Sequence, residues 1–217
     1  MFLRIARWVP ANGIVFAVLV IVAAILTSDA PGSNASDATW TEYYADSGNR
    51  HKEEAAFVLV GLAGLCFLQF LGSLRGALAR AEGEPARITT AAVGSGVAFI
   101  AVAISAHAVG TATSGAVGFY GDDFTVDADT ARVLASAAYA LYAMSLFAAA
   151  AMALAVTTLA FSTRVFPAWL VWAGVLATIA GILGFVGYTG VVVLAWIVLV
   201  SVYLLLPRRE SAPQSAA

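Results

Sequence analysis

Long stretches without a charged residue constrain this chain more than any other feature. A segment of about 20 residues that lacks Asp, Glu, Lys and Arg is long enough to cross the apolar core of a bilayer as a helix. The last two such segments share one uncharged run, in which Gly184, Gly187 and Gly190 favour a turn. The sequence therefore predicts an all-α membrane protein, a bundle of six transmembrane helices. Their approximate spans are 11–27, 55–74, 88–113, 132–161, 167–186 and 189–206.

Composition agrees with this architecture and excludes several others. Hydrophobic residues make up 61% of the chain and charged residues 11%, whereas a soluble domain has about 45–50% apolar and about 25% charged residues. The 217 residues leave room for one membrane domain, 1–206, followed by a polar tail, 207–217, that we expect to be disordered in the cytoplasm. A net charge of −2 excludes a basic nucleic-acid-binding surface, and the single Cys66 excludes an intrachain disulfide.

The distribution of cationic residues predicts the orientation, because Lys and Arg accumulate in short cytoplasmic loops. With the N-terminus in the cytoplasm, eight of the eleven cationic residues lie on the cytoplasmic side. We therefore expect a multi-pass protein of a bacterial plasma membrane with both termini cytoplasmic. An N-terminal signal peptide is the alternative, but the apolar stretch 9–26 exceeds the usual ~7–15 residues, which favours a retained first span. The eight are Arg4, Arg7, Arg75, Arg80, Arg87, Arg164, Arg208 and Arg209.

Two segments on the predicted outer side carry local signals. Ser36 or Asp37 is suited to cap a short helix in which Trp40, Tyr43 and Tyr44 share one face, at spacings i, i+3 and i+4. Trp and Tyr favour the headgroup level, so we predict an interfacial helix on the outer surface. In the second segment, a carboxylate within 127–132 is suited to cap the start of the fourth span.

Small residues recur at the spacing of helix contacts. Gly72 and Gly76 form a GxxxG pair in the second span, and Gly94 and Gly96 lie near the start of the third. In a bilayer such residues allow close approach of two helix backbones. We expect them to serve packing within the bundle, so that Gly72→Leu disrupts it; dimerisation through the pair is the alternative.

Four motifs together resemble a known group of proteins. They are Glu42-Tyr43-Tyr44-Ala45-Asp46, Phe70-Leu71-Gly72-Ser73-Leu74-Arg75, Asp127-Ala128-Asp129-Thr130-Ala131-Arg132 and Arg164-Val165-Phe166-Pro167-Ala168-Trp169. In this order the motifs resemble an actinobacterial family of six-span integral membrane proteins of unknown function, over nearly the whole chain. The resemblance implies the architecture and a membrane location. It implies no reaction and no catalytic residue.

One ionisable side chain, His107, lies clearly within a predicted span. Burying such a group is costly, so it marks either a functional site or a hydrogen bond to a neighbouring helix. Four outer carboxylates are expected to reach the same region: Glu53, Glu54, Asp122 and Asp123. These five residues form the candidate polar site, which can bind a ligand, relay protons or sense pH. Their spacing matches neither a His-Glu-x-x-His helix nor a calcium loop, so no metal site and no cofactor are predicted.

Three functions remain compatible with the sequence. The near absence of charge in the spans favours a non-enzymatic accessory or scaffold protein, whose partners are the lipid bilayer and itself or another membrane protein. The alternative is a small transporter, channel or ligand-binding protein with an outward-facing site around His107. A lipid-modifying enzyme ranks last, because it needs a second polar residue facing His107. The candidates for that residue are Tyr139, Tyr142 and Ser145.

Overall fold

The computed structural model describes residues 8–187 and 189–206, and for Asp122 the backbone alone. The described residues form eight α-helices and two short 3₁₀ helices, Val9–Ala11 and Gly121–Asp123, without β-strands. The predicted tail, 207–217, lies outside the described residues. In chain order the α-helices are α1 (Asn12–Leu26), α2 (Asp37–Ala45), α3 (Ser47–Glu82), α4 (Arg87–Gly110), α5 (Ala112–Tyr120), α6 (Ala128–Thr163), α7 (Ala168–Ile182) and α8 (Gly190–Leu205).

Four helices are long and apolar enough to cross a membrane. They are α1 together with its preceding 3₁₀ turn, α3, α4 and α6. Helices α7 and α8 are equally apolar but contain only 15 and 16 residues. At a rise of 1.5 Å per residue they are about 22–24 Å long, less than the ~30 Å of a hydrocarbon core. The predicted turn between them is present, and Gly187 has the positive φ of +110° that favours glycine.

Helix α3 extends eight residues beyond its predicted span at each end, and α6 extends four residues beyond its span at the start and two at the end. Each contains 36 residues, about 54 Å of helix. The side chain of Asp46 caps α3 by accepting a 2.7 Å hydrogen bond from the backbone N–H of Gly48. Asp127 caps α6 in the same way, because its carboxylate accepts a 2.8 Å hydrogen bond from the backbone N–H of Thr130. Its position in the sequence predicts this cap. These caps place the helix starts outside the apolar stretches themselves.

Six helices form a closed ring. Their order around the ring is α1, α3, α4, α6, α7 and α8, and α8 packs again on α1. The aromatic ring of Phe67 on α3 lies 4.9 Å from that of Phe16 on α1 and 5.2 Å from that of Phe99 on α4, centroid to centroid. This aromatic cluster joins three helices of the ring.

Close helix contacts depend on some of the glycines. A Cβ at Gly96 would lie 2.7 Å from Leu71 of α3, so this glycine allows α4 to approach α3. At Gly181 a Cβ would lie 2.7 Å from the backbone carbonyl oxygen of Leu146, which brings α7 against α6. Gly72 differs, because it is exposed and a Cβ there would meet nothing within 4 Å. The expectation that Gly72 packs inside the bundle is therefore wrong.

Helix α2 is the predicted short helix, and Ser36 caps it by accepting a 3.2 Å hydrogen bond from the backbone N–H of Thr39. Its aromatic face, however, points into the protein. Trp40, Tyr43 and Tyr44 are 2%, 7% and 3% exposed and pack against alanines at the start of α6. The expected location of these rings among lipid headgroups is thus replaced by packing on α6.

Candidate functional site

A cavity of about 590 Å³ lies within the helix ring. The cavity lies toward the end of the ring at which α1 and α4 end and α3 and α6 begin. We call this end of the ring the Glu53 end. Its deepest lining residues, among them Phe16, Phe99 and Ile197, belong to the apolar middle of the ring. Helix α2 and the segment 27–31 contribute lining residues at the opposite, polar end of the cavity. The cavity is therefore apolar at depth and polar near the Glu53 end.

The dimensions of the cavity suit a small molecule. Its lining residues on α4 extend from Phe99 to Gly110, about 16 Å along the helix at 1.5 Å per residue. Pockets that bind small molecules usually measure about 300–1,000 Å³ and combine an apolar wall with a few polar groups. An extended amphipathic molecule would fit with its polar group at the Glu53 end.

Glu53 is the carboxylate of this cavity. Its side chain is 4% exposed, and its Oε2 accepts a short hydrogen bond from the hydroxyl of Ser114 on α5. The phenol of Tyr43 lies near the same carboxyl group, but its hydroxyl has no hydrogen-bond partner of good geometry among the described residues. The described ion pairs join Lys52 to Asp29 and Arg132 to Asp37 and Asp129, so none of them neutralises Glu53. A buried acidic group thus stands without a cationic partner in the described structure.

His107 on α4 lines the same cavity. Its Nε2 is buried and has no hydrogen-bond partner within residues 8–187 and 189–206. A second, smaller space of about 250 Å³ lies between α3 and α4. Val60 and His107 line both spaces and therefore stand between the central cavity and the outer surface of the ring.

Trp40 and Tyr44 of α2 line the cavity beside Glu53. The indole Nε1 of Trp40 is buried, and in the described part of the chain it donates no hydrogen bond. The two rings are stacked, with centroids 6.3 Å apart. Burial, and secondly the charge of Glu53, raises the pKa of Tyr44 from 10.0 to about 12. The same two causes raise the pKa of Tyr43.

The structure brings together two of the five predicted site residues. Glu53 and His107 line the cavity, whereas Glu54 is exposed beside Gly118 of α5. Asp123 is exposed in the second 3₁₀ helix. The side chain of Asp122 lies outside the described part of the structure.

Other polar residues of the cavity differ in how well the sequence indicates them. Tyr139 and Tyr142, candidates for facing His107, do line the cavity. Ser145 is fully buried and donates a 2.7 Å hydrogen bond to the backbone carbonyl of Tyr142. Trp40 and Tyr44 were not recognised as site residues, because their spacing on α2 indicates one shared face and not what that face contacts.

Metal ligands do not cluster in the described residues, where no group of three or more His, Cys, Asp or Glu side chains is placed to hold a metal ion. Comparisons of the chain with protein-family models, with curated proteins and with solved structures find no significant match. The function must therefore be argued from the cavity itself.

Proposed function

We propose that the chain is an integral membrane protein that binds a small, mostly apolar ligand in the central cavity. The carrying observation is a 590 Å³ cavity that is apolar at depth and is lined at the Glu53 end by a buried carboxyl group without a cationic partner among the described ion pairs. Burying an acidic group is costly unless it is paired or hydrogen-bonded. A ligand that presents a polar group to this carboxyl group would reduce that cost. Such a protein serves as a carrier, receptor or transporter of its ligand.

In this proposal all six apolar helices cross the cell membrane, with both termini in the cytoplasm. The support comes from the charges, because eight of eleven cationic residues then lie on the cytoplasmic side. The short α7 and α8 match the hydrocarbon thickness if the bilayer thins locally beside them. The Glu53 end, with the mouth of the cavity, then faces the outside.

Photolabelling tests ligand binding. The full chain, in nanodiscs of zwitterionic lipid, is irradiated with a diazirine analogue of 1-decanol, and adducts are mapped by mass spectrometry. We expect adducts on cavity residues such as Phe16 and Ile197, and competition by unlabelled 1-decanol. Adducts confined to lipid-facing residues would refute the proposal.

A pair of variants on α4 serves as the control. Ala103 lines the cavity, so Ala103→Trp should fill it and abolish the cavity adducts. Val97 is 46% exposed on the surface of the same helix, so Val97→Trp adds the same side chain outside the cavity and should leave those adducts unchanged. Equal labelling of both variants would contradict binding in the cavity.

The topology has its own test. Cys66 is replaced by Ala, and single cysteines are introduced at exposed positions, Thr41 on α2 and Ser162 near the end of α6. In intact cells a membrane-impermeant maleimide should label Thr41→Cys and not Ser162→Cys. The reverse pattern would invert the proposed orientation, and labelling of both would contradict six spans.

A scaffold function is the second candidate, and the outward position of Gly72 favours it. Because Gly72 is exposed and a Cβ there would meet nothing within 4 Å, this glycine of the GxxxG pair is available to another helix in the bilayer. Cross-linking of Gly72→Cys chains, with Cys66 replaced by Ala, would support self-association. The exposed Phe57→Cys on the same helix provides the control, and equal cross-linking of both positions would contradict a specific contact.

A further inference from the structure

The polar end of the cavity carries a specific chemistry, and the inference drawn from it rests on the proposed ligand-binding function. Glu53 is only 4% exposed, and its Oε2 accepts a hydrogen bond from the hydroxyl of Ser114. Its Oε1 accepts no hydrogen bond from the described residues and is not among their fully enclosed unpaired atoms. This oxygen is therefore open to the cavity that Glu53 lines.

Aromatic side chains of α2 complement the carboxyl group. Trp40 and Tyr44 line the same cavity as Glu53 and are stacked with their ring centroids 6.3 Å apart, and the phenol of Tyr43 lies near the Glu53 carboxyl group. The faces of Trp and Tyr attract a cation within about 6 Å of the ring centre. A buried carboxylate stabilises a cation through charge and hydrogen bonds, and it is itself costly to bury without one. The two features favour the same ligand group.

We infer that the ligand is an alkylammonium compound, whose protonated amine is bound by Glu53 beside Trp40 and Tyr44 and whose hydrocarbon chain extends toward Phe16 and Ile197. Val60 and Ala63 of α3 belong to the apolar lining that encloses the chain beyond the head group.

Other head groups fit less well. An anionic head would be repelled by an ionised Glu53, and none of the described ion pairs gives that carboxylate a Lys or Arg partner. The guanidinium of Arg50 instead donates hydrogen bonds to the backbone carbonyls of Tyr44 and Ala45. A divalent metal ion would require six or more oxygen ligands or a compact set of His and carboxylate groups, and no such group of three exists in the described residues. A neutral hydroxyl would form a hydrogen bond with Glu53 but would provide no charge-assisted interaction.

Competition against the diazirine analogue of 1-decanol tests the head group in the wild-type chain. The competitors are decylamine, 1-decanol and decanoate at pH 7, where an alkylamine with a pKa near the Lys value of about 10.4 is protonated. We expect decylamine to displace the label at about 10- to 100-fold lower concentration than 1-decanol, because a charge-assisted hydrogen bond to Glu53 increases the affinity by about that factor. Decanoate should be the weakest competitor.

Two adjacent carboxylates supply a matched pair of variants. Glu53→Gln should weaken competition by decylamine about 10- to 100-fold and change competition by 1-decanol by less than about 3-fold. Glu54→Gln removes the same charge from the exposed neighbouring residue and should change neither. Trp40→Leu should weaken competition by decylamine about 3- to 10-fold, because the aromatic face is lost. This variant tests the same binding site even if the Glu53→Gln protein does not fold.

The outcomes separate this inference from the proposed function. Equal competition by decylamine and 1-decanol, or equal effects of Glu53→Gln and Glu54→Gln, would overturn the alkylammonium ligand while the cavity adducts persist. Absence of any adduct in the cavity would instead refute ligand binding there. Preference for decanoate would assign the head group to an anion and overturn the role of Glu53.

Discussion

Ser114 on α5 donates a short hydrogen bond to Glu53 on α3, across 61 residues of sequence. Ser114 is fully buried, and Glu53 is 4% exposed. The bond fixes one carboxylate oxygen and leaves the other toward the cavity. It also attaches the short helix α5 to the long helix α3 at the Glu53 end.

Loss of this bond is expected to destabilise the protein. Ser114→Ala leaves a buried carboxylate oxygen without its donor, which should lower the free energy of unfolding by about 1–3 kcal/mol. Ser105→Ala on α4 is the control, because that exposed hydroxyl only donates to the Ala101 carbonyl of its own helix. Equilibrium unfolding in detergent measures both variants, and equal effects would mean that the bond to Glu53 contributes no net stability.

A pair of glycine substitutions is expected to have opposite effects. Gly181→Ala would place a Cβ 2.7 Å from the backbone oxygen of Leu146, so α6 and α7 must separate, at a cost of about 1–3 kcal/mol. Gly72→Ala meets open space and replaces a poor helix former, so it should be neutral or stabilise by up to about 1 kcal/mol. Thermal unfolding of the two variants compares them. A destabilising Gly72→Ala would indicate that another helix covers this position.

The helices could be predicted from the sequence more completely than their arrangement. Charge-free runs directly indicate apolar helices, and the structure has an apolar helix at each of the six predicted spans. The closed ring could not be predicted, because residues on the outside of the ring and residues packed inside it are both apolar in this chain. Phe57 is 50% exposed and Phe67 is fully buried on the same helix. Hydrophobicity alone does not distinguish these two surroundings.

Glu53 and Glu54 show why the candidate site was only partly predictable. Adjacent residues on an α-helix point about 100° apart, and of these two neighbouring carboxylates only Glu53 lines the cavity. The sequence offers no means of choosing between them. The choice depends on the position of Ser114, which follows from the turn between α4 and α5 at Thr111. His107 was identifiable because an isolated ionisable group in a span is rare.

The phenol of Tyr44 should affect the stability at high pH. Because burial raises its pKa from 10.0 to about 12, the folded state retains the phenol proton more strongly than the unfolded state. The contribution of the Tyr44 phenol to the free energy of unfolding is fully present below pH 10 and is lost as the pH rises through about 12. Tyr44→Phe should therefore reduce the loss of stability above pH 10. Absorbance of tyrosinate near 295 nm checks the titration, and an ordinary onset for Tyr44 would contradict its burial beside Glu53.

At the opposite end of the pH range, the cap of α6 predicts a loss of stability in acid. Hydrogen bonds from the side chain and the backbone N–H of Thr130 lower the pKa of Asp127 below its usual 3.8. A lowered pKa gives stability that is present above pH 3.8 and is lost as the pH falls through the folded-state value. Asp127→Asn retains an acceptor for the cap without a titrating group, so its thermal midpoint should vary less between pH 5 and pH 2. Asp123→Asn, at an exposed acidic residue outside the cap, should keep the wild-type pH dependence. Identical acid profiles for Asp127→Asn and the wild type would mean that other carboxylates control unfolding in acid.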